Sequence, residues 1–166
     1  MDHWAYALDN DAFQRELAPI LIRALRTGSR DERQEFVQRT IAHLNDPTDG
    51  TPLNAEWHHL VQPPILDRPD LAVHRWGDVA LTKDYDPAQE AGLSTAWQVA
   101  EEDLRTLGLD SIATLLGRPL GPPNNACDPR LQGAYFQSPH DVRHALPHLE
   151  QVHGALTPVC STGTAC

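Results

Sequence analysis

At 166 residues and 18.4 kDa the chain has the length of one ordinary domain and can bury roughly two-thirds of its unfolded surface without disulfides or a metal scaffold. Hydrophobic residues at 40% and charged residues at 22% exclude a disordered or fibrous chain. No apolar run has the length that spans a bilayer. The net charge is −10, and all of it falls on residues 31–110, where sixteen acids face six bases; residues 1–30 and 111–166 are each balanced. That field repels a phosphate backbone, which argues against nucleic acid as a partner, and attracts a cationic one. The opening residues MDHWAYALDND carry acids where a signal peptide has a basic flank and an apolar stretch, so the cytoplasm is the expected compartment.

In chain order, the first helical signal covers residues 11–26, where Phe13, Leu17, Leu21 and Leu25 recur every four residues. Pro19 interrupts it and predicts a kink or a late start. Gly28 ends the segment, and Ser29 with Glu32 three residues on predicts a capping box for a second helix. That helix buries Phe36, Val37, Ile41 and Leu44, and the pair reads as a helical hairpin. Residues 45–51 (NDPTDGT) form a surface loop, and Asn54 caps a short helix stopped by Pro63 and Pro64.

The period then changes. Residues 71–76 and 79–82 are rich in β-formers, and Gly77-Asp78 between them predicts a two-residue hairpin turn. An acidic loop, KDYDPAQEAG, follows. Ser94 caps a helix with Trp97, Ala100, Leu104 and Leu107 on one side, closed by Gly108, and a short helix follows over Ile112, Leu115 and Leu116. Residues 118–129 hold four prolines and form a long loop, and Tyr135 and Phe136 suggest a short strand. Ser138-Pro139 with Asp141 starts a last helix whose core face is Val142, Leu146, Leu149 and Val152. The fold class expected is α+β, predominantly α-helical with one small antiparallel β-hairpin or sheet: a single globular domain over residues 1–153 and a flexible tail over 154–166.

Candidate chemistry is sparse. No G-x-S-x-G elbow, P-loop or G-x-G-x-x-G is present, so no catalytic residue is assigned and no cofactor is implied. His140, His144 and His148 share one helical stripe, a row longer than one metal ion spans, and read as a polar face. Glu56, His58 and His59 place a Glu-x-x-His on a helix without the matching motif such metal sites need, and His59 beside Leu60 reads as a half-buried packing residue. No metal site is assigned. Cys127, Cys160 and Cys166 are an odd set without a C-x-x-C pair.

The terminal residues 156–166 (LTPVCSTGTAC) alternate Ser and Thr with Cys, and Thr157-Pro158-Val159-Cys160 has the spacing of a small thioether ring. This segment resembles the core of a lanthipeptide precursor, with Leu149, Val152, Gly154 and Ala155 similar to the end of a double-glycine-type leader. The resemblance implies dehydrated Ser or Thr attacked by cysteine thiolates. It departs from the family in that a folded domain, not a short leader, precedes the core; an unmodified terminus is the competing reading.

The leading functional expectation is a non-enzymatic acidic binding protein that docks a basic protein partner, in the manner of small inhibitors or immunity proteins. Its binding residues are Asp84, Asp86, Glu90, Glu101, Glu102 and Asp103, with Trp76 and Tyr85 as aromatic anchors if exposed. The alternatives are a small metal-dependent or hydrolytic enzyme using the histidine-rich surfaces, and the modified precursor.

Overall fold

Pro19 shapes the first helical segment. The computed structural model describes residues 3–61, 69–94, 96–108, 116–122, 124, 126–130 and 133–161. In it the segment opens as a short helix, α1 (Asn10–Ala12), where Asp9 Oδ1 accepts from the Ala12 N–H at 3.0 Å. A five-residue π-helical turn (Phe13–Leu17) leads into α2 (Ala18–Thr27), with Pro19 in the first turn of α2. Proline has no N–H to donate and its ring crowds the preceding turn, and the wider π turn takes up the mismatch. Gly28 then closes α2 at φ 70°, in the left-handed region.

The chain divides into two compact units. The larger comprises Trp4–Ala91 and Pro119–Ala134. Within it α2 packs on α3 (Asp31–Thr40), and α3 packs on α5 (Pro69–Leu81). The short α4 (His58–Val61) and the π turn also pack on α5. Phe13, Leu17, Leu21, Phe36, Val37, Leu44, Trp57, Trp76, Val79 and Leu81 are buried there. Each such side chain stabilises the fold by roughly 1.5–3 kcal/mol through the surface it removes from water.

Two local expectations are corrected in this unit. Residues 71–76 and 79–82 do not form a hairpin; α5 runs through both, with Gly77 in its interior. Pro69 sits at its first position, where the missing N–H costs nothing, and Trp76, Val79 and Ala80 are buried at helical spacing. Gly77 serves close packing: a Cβ there would lie 2.0 Å from the Pro129 carbonyl oxygen. The Ser29–Glu32 capping box does not form. Ser29 Oγ accepts from the Asp31 N–H at 3.3 Å, but Glu32 is taken by the guanidinium of Arg23, Nη2 to Oε2 at 2.6 Å. Arg33 of α3 is fully buried, its Nη2 donating to the Ser29 carbonyl at 2.8 Å. Burial, followed by the charge of Arg30, pushes the Arg33 pKa down to about 10.

The smaller unit comprises Met1–His3, Gly92–Arg118 and Tyr135–Cys166. Its α6 (Ala96–Thr106) packs on α7 (Pro139–Ser161). The start of α7 follows its sequence signal. Ser138 Oγ accepts from the Asp141 N–H at 3.2 Å and donates to Asp141 Oδ2 at 2.6 Å, while the Ser138 N–H reaches the same carboxylate at 3.0 Å. The core faces differ from those expected. Leu104 and Ala145 are buried, whereas Leu107, Val142 and Leu146 are 45%, 40% and 46% exposed. Ala145, with Asp141, His148 and Leu149 half-buried around it, sets the inward side of α7. The helix continues to Ser161, through much of the expected tail.

Two short strands, β1 (His3–Tyr6) and β2 (Glu90–Ser94), pair with each other. Ser94 is the last residue of β2, and the cap expected of it at the start of α6 lies outside the described side chains. Phe136 forms an isolated bridge with Arg118 in place of the expected strand, and Leu120 bridges Cys127 within the proline-rich loop. The chain is thus mostly helical, as expected in outline, without the hairpin. Pro63, Pro64, Ile112, Leu115 and the last five residues lie outside the described residues. No described helix is long and apolar enough to cross a membrane.

Candidate functional site

Asp84 lies in the turn after α5, where its carbonyl accepts from the Asp9 N–H at 2.8 Å and draws the turn inward. It is 5% exposed. Lys83 Nζ stands 3.4 Å from Asp84 Oδ1 and 2.9 Å from Glu16 Oε2, while Asp84 Oδ2 is buried with no hydrogen-bond partner among the described residues. Burial pushes the Asp84 carboxyl above the usual carboxylate range; Lys83 opposes this, and the charges of Glu16 and Asp9 add to it. The surface acid expected here is an interior group.

Asp86 is half-buried and accepts only from neutral donors, the Ala88 N–H and Gln89 Nε2, each at 2.9 Å. Glu90, at the start of β2, is exposed. Glu101 pairs with Arg105 one turn on at 2.5 Å; Glu102 is exposed and Asp103 half-buried. The six acids belong to two units: Asp84, Asp86 and Glu90 to the larger, and Glu101, Glu102 and Asp103 to the smaller.

Trp76 and Tyr85 are core residues, 6% and 8% exposed, so neither presents an aromatic anchor at the surface. Trp76 packs edge-on against Trp57, ring centroids 5.5 Å apart, because the inward face of α5 takes it. His58 stacks on Trp57 at 4.1 Å, and His59, expected half-buried, is exposed with Nδ1 on the Glu56 carbonyl. His140, His144 and His148 do line up along α7, ring centroids 6.3 and 6.0 Å apart. Among the described residues no group of three or more His, Cys, Asp or Glu is placed to hold a metal ion.

A constellation that the sequence reading missed surrounds Arg130 in the larger unit. Its backbone N–H donates to Asp128 Oδ1 at 3.0 Å, and its Nε donates to Asp78 Oδ1 at 2.9 Å. The guanidinium lies over the Tyr85 ring, 5.8 Å from the centroid, and the Tyr6 ring is 4.7 Å from that of Tyr85. Tyr85 Oη is buried and has no hydrogen-bond partner among the described residues. Burial pushes the Tyr85 phenol up to about 12 against the charge of Arg130, and raises Tyr6 in the same way. Burial works against the Arg130 charge, but Tyr85, Asp78 and Tyr6 together hold its pKa above the usual value. The available sequence signals were Gly77 between two runs of β-formers, since a glycine inside such a pattern can mark a close backbone approach, and the Asp-Pro-Arg of a turn.

The chain matches no family model, and no curated protein or solved structure matches it significantly.

Proposed function

We propose that the protein is a non-enzymatic binding protein that docks a basic protein partner, with Asp86 and Glu90 of the larger unit at the centre of the contact. The observation that carries this reading is where the bases go. Lys83 is held by Glu16 and Asp84, Arg23 by Glu32 and Arg130 by Asp78. Asp86 and Glu90 meet no described cation. Internal pairing thus occupies these cations and leaves half-buried Asp86 and exposed Glu90 without a described cation, the arrangement that steers a cationic partner by long-range attraction.

The test is capture with the full chain as bait, followed by association kinetics on the retained protein. The expected result is a basic protein whose on-rate falls steeply with ionic strength and whose affinity drops about tenfold in an Asp86→Asn/Glu90→Gln variant, the loss of about 1.4 kcal/mol. An on-rate indifferent to salt, or affinity unchanged in that variant, sinks the proposal.

A further inference from the structure

Tyr85 Oη presents a problem that the acidic surface does not solve. A hydroxyl buried without a partner costs free energy in the folded state, and a bound water or ligand is one way in which such a group is satisfied. Its neighbours indicate which. Arg130 is fixed by its backbone on Asp128, by Nε on Asp78 and by its face on Tyr85, so its orientation is set before anything binds. No described residue bonds its two terminal nitrogens, and the side chain retains 22% exposure. Tyr6, half-buried against Tyr85, makes no described hydrogen bond through its hydroxyl. The unused groups are thus guanidinium N–H and phenol O–H.

We infer that Arg130, Tyr85 and Tyr6 form a binding site for a carboxylate, its two oxygens on the terminal nitrogens of Arg130 and one of them accepting from Tyr85. Two parallel N–H donors match a planar carboxylate in a fork-to-fork pair. The surrounding charge selects the same class: Asp78 balances Arg130, and Glu90 acts on Tyr6 from nearby, so a dianionic phosphate is disfavoured where a monoanion is tolerated. The site lies in the larger unit alone, and the three residues proposed to hold the carboxylate are distinct from Asp86 and Glu90, although Glu90 acts on Tyr6.

Titration of sodium acetate, and separately of inorganic phosphate, into the ¹⁵N-labelled full chain tests this at constant ionic strength. The expected result is a saturable shift of the Arg130 Nε–H resonance and of the Gly77 and Tyr85 amides with acetate. Tyr85→Phe and Arg130→Lys should each weaken it about tenfold, as loss of a hydrogen bond to a charged group does. Tyr85→Phe should also unfold at the same temperature as the parent or higher, since it removes an unsatisfied group. Absence of a saturable acetate response, saturation by phosphate alone, or a Tyr85→Phe variant with lower thermal stability and unchanged acetate affinity would overturn the inference.

Discussion

Asp84 is held where water cannot solvate it, with one oxygen near Lys83 and the other unpaired. Its raised pKa means the folded chain takes up this proton at a higher pH than the unfolded chain. The sign follows: Asp84 opposes folding above its folded pKa, and that opposition is relieved as pH falls towards the ordinary carboxylate range. Asp84→Asn is therefore expected to raise stability near neutral pH by on the order of 1 kcal/mol and to flatten this part of the pH profile, measured by urea unfolding. Thr82 shows the opposite economy. Its buried hydroxyl accepts from the Asn45 N–H at 3.0 Å and lies 2.7 Å from the Val79 carbonyl it donates to. Thr82→Val leaves the Asn45 donor unpaired and should cost about 1–3 kcal/mol in the same assay. Neither role was legible in the sequence. KDYDPAQE has the composition of a solvated loop, and what turns Asp84 inward is a hydrogen bond to Asp9, far away along the chain.

Elements were legible where their determinants are local. The α7 start is complete within Ser138, Pro139 and Asp141, and the structure makes that cap. Ser138→Ala should cost about 1 kcal/mol, read as a lower thermal midpoint. The Gly28 stop and the disturbance at Pro19 are local in the same sense. The hairpin reading failed because Gly-Asp between β-formers suits a turn equally well, and the contact that decides against it comes from Pro129. The same contact gives a prediction. In an exposed helix Gly→Ala gains about 1 kcal/mol. Gly77→Ala instead drives a methyl into the Pro129 carbonyl and should destabilise by about 1–3 kcal/mol or more, with loss of the shielded Arg130–Asp78 pair visible in the Arg130 Nε–H spectrum. On α6 and α7, periodicity located the helices but misjudged Leu107, Val142 and Leu146, because the apolar residues outnumber the positions that face the partner helix.

For the whole molecule, hydrophobic periodicity was enough to indicate a mostly helical chain, and the charge count a negative field. The net charge of −10 makes the folded state repel itself at low ionic strength. Raising salt from about 10 mM to about 150 mM shortens the screening length from about 30 Å to about 8 Å, so the calorimetric midpoint should rise. A fall would mean that the surface ion pairs outweigh the repulsion. The division into two units was not legible, since no linker marks it: the larger unit is assembled from Trp4–Ala91 and Pro119–Ala134 around an intervening stretch. Asp78 and Arg130, which clasp it, are 52 positions apart. A ribosome has therefore emitted the whole of α1 through α5 well before the residue that locks them appears. During synthesis the ring of Tyr85 therefore lacks its guanidinium cover until the Asp-Pro-Arg turn emerges from the exit tunnel.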